Sequence, residues 1–227
     1  MLISLKKHGN IIPLQGDVTS KESLKSIVEH IEKEDGYINV LIANSGVTGP
    51  TVEGLSKTAS LTEFQSFFWA QTFPEFTNTY HVNTSAVFFS IIAFLPLLDA
   101  GNKTGNVEQK SQVIATSSIG GLSRTAMGGY AYGPSKAATT HLMKTFATSL
   151  VPFGIRSNVI APGSKSGSFP TSTFFFRLHI QVRLHLENPI LSEEPCFSLS
   201  PDRLPKRACI AERKQWMKKR REVNILV

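Results

Sequence analysis

The sequence predicts an α/β fold, a doubly wound parallel sheet covered by helices. Short apolar runs typical of buried strands alternate with longer segments of helical periodicity, and this order favours right-handed βαβ crossovers. The runs also end in small or polar residues, at Gly16-Asp17, Asn44-Ser45-Gly46, Ser117-Ser118 and Pro162-Gly163. Because ligands bind beyond the carboxyl ends of the strands in open α/β sheets, these ends predict one shared site.

The first part of the chain predicts two strands with a helix between them. Residues 10–15 form a short apolar run, and Thr19 or Ser20 can cap a helix that continues to Lys33. The apolar positions of this helix recur at helical spacing, at Leu24, Ile27, Val28 and Ile31. Residues 37–43 form an apolar run, which indicates a strand buried on both faces of a parallel sheet.

A looser region is predicted up to residue 79, and regular elements follow it. These elements are a helix over 80–98, a strand over 112–116, a helix over 132–151 and a strand over 155–161. We expect an α/β domain over residues 1–163 and a divergent, irregular basic tail over residues 164–227.

The composition supports this division and excludes several classes of protein. The 227 residues carry a net charge of +7, of which +6 lies in residues 164–227. Both cysteines, Cys196 and Cys209, also lie there. Two thiols, with no secretory leader and no histidines at metal-ligand spacing, argue against a disulfide-built domain and against a metal site.

Targeting signals and nucleic-acid motifs are not found in the sequence. The first residues lack the apolar core of a signal peptide, and the apolar stretch over 82–98 falls short of the ~20 residues that span a membrane. The sequence therefore predicts a cytoplasmic protein without a membrane span. A basic tail can bind nucleic acid, but this one carries no nucleic-acid motif, so we expect a solvated tail and no such partner.

Tyr132 and Lys136 are the residues that point most directly to chemistry. They lie four residues apart in a predicted helix, so the phenol and the ammonium share one face. A tyrosine ordinarily ionises near pH ~10, and a fixed cation beside it favours the phenolate and lowers its pKa. The pair is therefore a candidate general acid/base for a hydroxyl or carbonyl, although a solvated helix face has the same spacing.

Further residues occur in an order that resembles the short-chain dehydrogenases/reductases, and the details resemble the fungal members of that family. The matching positions are Asp17, Val18, Asn44, Ser45, Gly46, Asn83, Ser118, Tyr132, Lys136, Pro162 and Gly163. The family places a glycine three residues after its serine, so Gly121 selects Ser118 over Ser117. Pro134 excludes Tyr130 as the active tyrosine, because the family has lysine four residues after it.

The resemblance implies a Rossmann-like fold and an NAD(P)-dependent oxidoreductase that interconverts a carbonyl and a secondary alcohol. It implies that Tyr132 is the general acid/base and that Ser118 holds the substrate oxygen. Lys136 would lower the pKa of Tyr132 and contact the nicotinamide ribose, and Asn83 would hold a water in a proton relay. A small-molecule carbonyl or alcohol is the implied substrate.

The same resemblance implies NADP or NAD as the cofactor, with NADP slightly favoured. It places Asp17 and Val18 at the adenine, and Pro162 and Gly163 beside the nicotinamide. The turn Asn44-Ser45-Gly46 would lie near the cofactor, with Tyr132 and Lys136. Taken singly, these residues also have structural interpretations: Asp17 can cap a helix, Asn44 and Ser118 can be turn residues, and Asn83 can be a packing residue.

Two parts of the family pattern are not matched in this sequence. The turn Thr-Gly-x-x-x-Gly-x-Gly, which holds the cofactor pyrophosphate at a helix N-terminus, is not found. We expect an N-terminally truncated sheet in which the edge of the strand at 37–43 is unpaired. After Gly163 the substrate-covering loop is not recognisable, so the alternative to an active enzyme is an inactive remnant. The resemblance also implies a homodimer or homotetramer that pairs through the helices at 80–98 and 132–151.

Overall fold

The computed structural model describes residues 11–126, 128–163, 179–186 and 221–226. Within them the α-helices are α1 (Lys21–Glu34), α2 (Leu61–Trp69), α3 (Phe73–Tyr80), α4 (Ala86–Thr104) and α5 (Tyr132–Ser149). The strands are β1 (Ile11–Gln15), β2 (Val40–Ala43), β3 (Gln112–Thr116), β4 (Arg156–Ile160), β5 (His179–Leu186) and β6 (Arg221–Leu226). Single helical turns are a π turn at His81–Ser85 and 3₁₀ turns at Ile119–Gly121 and Val151–Phe153.

The strands form one mixed sheet of order β1-β5-β6-β2-β3-β4. β2 pairs in parallel with β3, and β3 pairs in parallel with β4. β6 pairs in parallel with the other edge of β2, whereas β5 is antiparallel to both β1 and β6. The α/β fold with a parallel core is therefore confirmed, and the carboxyl ends of β2, β3 and β4 lie along one edge of the sheet.

The edge of β2 is paired, contrary to the expectation from the sequence. Val40, Leu41 and Ile42 lie opposite residues of β6 in parallel register. A buried strand with an unpaired edge would leave backbone N–H and C=O groups without partners, and β6 removes that cost. β5 and β6 are thus regular strands within a segment predicted to be irregular. The rest of residues 164–227, including Cys196 and Cys209, lies outside the described residues.

Helix α4 forms the centre of the hydrophobic core. Its side chains Ile91, Phe94 and Leu98 are fully buried, and the helix packs against α1 and β2. A side chain at Gly101 would collide with the backbone carbonyl of Ile38, so the close approach of α4 to the segment that leads into β2 requires glycine there. Burying a phenylalanine or leucine of this kind contributes about 1.5–3 kcal/mol to stability.

The region that precedes residue 80 contains two helices that the sequence interpretation missed. Each begins with a capping box: Ser60 with Glu63 opens α2, and Thr72 with Glu75 opens α3. In both boxes the hydroxyl accepts from the backbone N–H three residues on, and the carboxylate accepts from the N-cap N–H. The Ser/Thr-x-x-Glu spacing is itself a signal of a helix start, so both helices could have been predicted from the sequence.

Helix α3, the π turn and α4 follow one another without a break from Phe73 to Thr104. By length and composition alone this segment is suited to cross a membrane. On α4 the side chains of Ile91, Phe94 and Leu98 are buried where the helix packs on α1 and the sheet, whereas Phe88, Phe89 and Ile92 are partly exposed. The core helix of a folded domain passes the same test of length and composition, so the test alone does not assign a membrane span.

Candidate active site

Helix α5 carries the candidate acid/base pair in its first two turns. Lys136 is 4% exposed, and its Nζ donates a hydrogen bond to the carbonyl oxygen of Thr116 at 2.7 Å. Burial lowers the pKa of Lys136 from 10.5 to about 8, because the ammonium is deprived of water. At neutral pH the Lys136 side chain is therefore a buried cation at the carboxyl end of β3.

The two serines that follow β3 have different surroundings. Ser117 Oγ donates to the carbonyl oxygen of Lys136 at 2.8 Å and lies 2.7 Å from Thr140 Oγ1. Ser118 Oγ accepts from the backbone N–H of Gly120 at 3.0 Å, a bond that uses a lone pair and not the hydroxyl proton. The hydrogen bond of Ser117 therefore connects the end of β3 to α5. The hydroxyl proton of Ser118 is not used in its bond with Gly120, so it can still be donated to another group.

The turn that follows β3, residues 117–121, is called the serine turn here. Two of its glycines bring it close to α5. A Cβ added at Gly121 would lie 2.7 Å from the backbone nitrogen of Ala137, which no side chain tolerates. A Cβ added at Gly120 would lie 3.4 Å from both Ser118 Oγ and Tyr132 Cε1. The hydroxyl of Ser118 and the ring of Tyr132 therefore flank the same glycine and border the same space.

Asn83 is fully buried in the π turn between α3 and α4. Its Oδ1 accepts from Val47 N at 2.8 Å, and its Nδ2 donates to Val47 O and Ser135 Oγ, each at 2.9 Å. The side chain therefore ties the loop after β2 to α5. Both Nδ2 hydrogens are engaged by protein groups, so this nitrogen has none left for a relay water.

Three hydroxyl residues around Asn83 were missed from the sequence. Thr139 Oγ1 donates to the backbone carbonyl of Asn83 at 2.6 Å, and Thr84 Oγ1 donates to the carbonyl of Ser135 at 3.0 Å. Ser135 Oγ in turn donates to the carbonyl of Tyr132 at 2.7 Å. Ser135 and Thr139 follow Tyr132 by three and seven residues, so small hydroxyls at helical spacing were the available signal.

The turn after β2 lies beside Lys136. Asn44 Oδ1 accepts from Thr116 Oγ1 at 2.9 Å, which fixes the turn to the end of β3. A Cβ added at Gly46 would lie 3.1 Å from Lys136 Nζ. Ser45 is buried, and its Oγ has no hydrogen-bond partner among the described residues. Because Gly46 has no side chain, the space in front of the Lys136 ammonium stays open. The Ser45 hydroxyl can still form a hydrogen bond with another group.

Asp17 and Val18 lie at the start of α1. Thr19 donates to Asp17 Oδ1 from its hydroxyl at 2.6 Å and from its backbone at 2.8 Å, and these bonds lower the pKa of Asp17. The N-cap of α1 is Ser20, which corrects the interpretation of Asp17 as the cap. Val18 is buried and lines a small cleft together with Ser45, so this segment reaches the turn after β2.

Pro162 and Gly163 follow β4 and lie on the serine turn. The carbonyl of Pro162 accepts from the backbone N–H of Ile119 at 3.0 Å. A Cβ added at Gly163 would lie 2.9 Å from Ile119 Cδ1. The end of β4 is thereby held next to Ser118.

A phenol, a hydroxyl and a buried cation thus gather at the carboxyl edge of the parallel strands. Such a set can hold a carbonyl oxygen and exchange a proton with it. The residues also fit a nicotinamide cofactor, because Gly46 leaves a cradle that a side chain would fill and Ser45 offers an unpartnered buried hydroxyl. Within the described ranges no three His, Cys, Asp or Glu residues cluster as metal ligands would.

The comparison of sequences places the chain in a family. The family model of the short chain dehydrogenases matches residues 1–171. The chain therefore belongs to the short-chain dehydrogenase/reductase family.

Two fungal proteins are among the relatives of this chain. The chain is 54% identical over 157 residues to the short-chain dehydrogenase/reductase PhomF of Diaporthe leptostromiformis, covering 69% of this chain and 54% of that protein. It is 45% identical over 172 residues to the short-chain dehydrogenase/reductase SAT3 of Stachybotrys chartarum, covering 70% of this chain and 63% of that protein. This chain thus aligns to little more than half the length of the first of these relatives.

Solved structures of the family share the fold. The complex of Pseudomonas aeruginosa RhlG with NADP has a TM-score of 0.55 at 27% identity, covering 67% of this chain and 53% of that chain. An NAD⁺-bound xylitol dehydrogenase has a TM-score of 0.50 at 25% identity, covering 65% of this chain and 48% of that chain. These relatives bind different nicotinamide cofactors at the same fold.

Proposed function

We propose that this protein is an oxidoreductase that transfers hydride between a nicotinamide cofactor and a carbonyl or secondary alcohol. The observation that carries the proposal is the position of Ser118 and Tyr132 around Gly120, with Lys136 buried at the end of β3. Family membership and the names of the relatives support the reaction class. NADP and NAD both occur among the similar structures, and the resemblance favours NADP slightly.

In the reducing direction Tyr132 would donate its phenolic proton to the substrate oxygen, and it would accept that proton in the oxidising direction. Ser118 would donate a hydrogen bond to the same oxygen, since its bond with Gly120 does not use its proton. The buried charge of Lys136 would stabilise the negative charge left on Tyr132. Asn83 would hold α5 and the loop after β2 in register, and it would hold the relay water that the resemblance implies through an acceptor oxygen, since both Nδ2 hydrogens are engaged.

The cofactor, when bound, supplies or accepts the hydride, and the chain's own share is to hold and orient it. The residues that would hold it are Asp17, Val18, Asn44, Ser45, Gly46, Tyr132, Lys136, Pro162 and Gly163. Of these, Ser45 and Gly46 offer the clearest structural fit, through an unpartnered hydroxyl and an open position beside Lys136.

Titration of the purified protein with NADPH and with NADH, followed by nicotinamide fluorescence, tests the cofactor site. Gly46→Val should weaken binding at least tenfold, because the added side chain points at Lys136 Nζ. Thr62→Val, on the exposed side of α2, is the matched control and should bind as the native protein does. A well-folded native protein that binds neither cofactor would support the inactive remnant instead.

Tyr132→Phe tests the chemistry separately from binding. It removes the proton donor and keeps the ring that packs on Gly120, so turnover should fall below detection while cofactor affinity is retained. Tyr80→Phe removes a phenol elsewhere and should leave turnover unchanged. Undiminished activity of the Tyr132→Phe protein would refute the assignment of the acid/base.

We also propose a homodimer or homotetramer formed through α4 and α5. Helix α4 leaves Phe88, Phe89 and Ile92 partly exposed, and grouped apolar side chains on one surface mark contact sites. Light scattering coupled to gel filtration measures the mass of the native protein. Ile92→Glu should shift it toward the monomer, and a native protein that is already monomeric would exclude the proposal.

A further inference from the structure

A groove lined by aromatic side chains lies between α2, α3 and the start of α5, and nothing in the proposed reaction uses it. We call it the aromatic groove; its rings are Phe64, Phe68, Trp69, Phe73, Phe76 and Tyr130. Its volume is about 850 Å³, within the usual range of small-molecule sites. Trp69 is 82% exposed and Phe73 is 87% exposed, which is costly to maintain on a surface that binds nothing.

Ring contacts hold one side of the aromatic groove, formed by Phe64, Phe68 and Tyr130, in a fixed arrangement. The centroids of Phe64 and Phe68 lie 4.7 Å apart, and Phe68 meets Tyr130 edge-on at 5.0 Å. The capping boxes at Ser60 and Thr72 fix the helices that carry these rings. A rigid set of ring faces and edges can stack on a ligand ring without first losing conformational entropy.

The charges around the aromatic groove select the ligand. Gln71 and Thr72 are its polar lining residues, and both are uncharged. Glu63 and Glu75 lie on the same two helices, Glu75 in a neighbouring cleft that also contains Gln71, and hydrogen bonds at the two helix starts lower the pKa of each carboxylate. Residues 58–80 contain no lysine or arginine. The residues that line the groove thus offer no positive charge to pair with an anion, and an uncharged aromatic ligand is favoured.

The aromatic groove adjoins the candidate active site through its floor. Tyr130 lines the groove and lies two residues before Tyr132, and a Cβ added at Gly128, on the same segment, would lie 3.0 Å from the ring of Tyr132. Gly129 has φ +99° and leaves no room for a side chain against the carbonyl of Pro50, which locks this segment to the loop after β2. A second cleft shares Gln71 with the groove and extends to Pro50.

We infer that the aromatic groove binds the ring system of an uncharged aromatic substrate whose carbonyl or alcohol group reaches Tyr132. The inference rests on the proposed oxidoreductase function for the reacting end of the ligand. It adds the chemical class of the substrate: neutral, ring-containing, and too large to be held by the reacting centre alone.

Two fluorescent probes with the same aromatic amine test the site without requiring turnover. N-phenyl-1-naphthylamine is neutral, and 8-anilinonaphthalene-1-sulfonate adds one negative charge. The neutral probe should bind with at least tenfold higher affinity, and Phe73→Ser and Trp69→Ser should each weaken it about tenfold, the equivalent of ~1.4 kcal/mol. Phe153→Ser removes a 62% exposed ring elsewhere and should change nothing.

The binding results that overturn the inference are equally distinct. Tighter binding of the anionic probe would contradict the electrostatic argument. Unchanged affinity in both Phe73→Ser and Trp69→Ser would show that the probe binds elsewhere. A fall in sedimentation coefficient in these variants, with probe affinity unchanged, would identify a second copy of the chain as the occupant.

Turnover of two ketones then tests whether the ligand is a substrate. The ratio of kcat/KM for 2-acetylnaphthalene to that for cyclohexanone should fall about tenfold in Phe73→Ser and stay constant in Phe153→Ser. An unchanged ratio in Phe73→Ser would refute the substrate role of the aromatic groove. Turnover of neither ketone by a protein that still binds the neutral probe in the groove would overturn the proposed function and leave a neutral-aromatic binding site.

Discussion

The buried ammonium of Lys136 should make the stability of the protein depend on pH in a calculable way. Its pKa is about 8 in the folded protein and 10.5 in the unfolded chain. Between these values the unfolded state binds more protons, so the free energy of unfolding rises as pH increases through this window. The full gap corresponds to roughly 3 kcal/mol, which opposes folding below pH 8 and is absent above pH 10.5.

Lys136→Met isolates this contribution because it keeps a flexible chain of similar length and removes the charge. It also removes the hydrogen bond to the carbonyl of Thr116, a loss of about 1–3 kcal/mol at every pH. Near pH 6.5 the two effects should nearly cancel. By pH 10.5 the variant should be less stable than the native protein by roughly 3 kcal/mol more than at pH 6.5. For a chain of this size that is a change of about 6–12 °C in the difference between their Tm values.

Urea denaturation followed by circular dichroism at pH 6.5, 8, 9 and 10.5 measures the difference in unfolding free energy. Lys144→Met is the matched control, since it makes the same substitution at an exposed position of the same helix. Other groups titrate equally in all three proteins and cancel. If the difference between native and Lys136→Met stays within about 0.5 kcal/mol across the series, burial does not set the pKa of Lys136.

Three further predictions concern single contacts. Gly121→Ala forces a Cβ toward the backbone of α5 at 2.7 Å and should cost about 1–3 kcal/mol; an unchanged Tm would contradict the packing argument. Thr139→Val removes the donor to the Asn83 carbonyl and should cost about 1–3 kcal/mol, with most of it restored in Thr139→Ser; equal losses in both variants would assign the effect to packing. Ser60→Ala removes the cap of α2 and should lower stability by about 1 kcal/mol in thermal denaturation, and no loss would refute the cap.

The elements that the sequence predicted best are those with local signals. The cap at Ser20 and the helical spacing of Leu24, Ile27 and Ile31 define α1 within the chain itself. The apolar runs of β2 and β3 are equally local. Helices α2 and α3 carry local capping boxes, so missing them was an error of interpretation and not a lack of signal.

The pairing of β6 with β2 had no such signal. Val40 and Asn224 are far apart in sequence. The pattern of side chains along one strand does not indicate which other strand it pairs with. Register is decided by which strands meet once the chain is compact, and that is a property of the whole fold. The sequence therefore indicated that β2 needed a partner on both edges without indicating which segment supplies it.

Asn83 shows the same limit within the site. The sequence indicated its importance by resemblance, but its contacts depend on the π turn, which has no characteristic period in the sequence. Such a turn interrupts the regular helical ladder and makes backbone groups available to other elements; here Thr139 on α5 donates to the Asn83 carbonyl. The amide side chain meanwhile bonds Val47 on both its N–H and its C=O. The position of α5, and with it that of Tyr132, is thus fixed by bonds between segments that become neighbours only on folding.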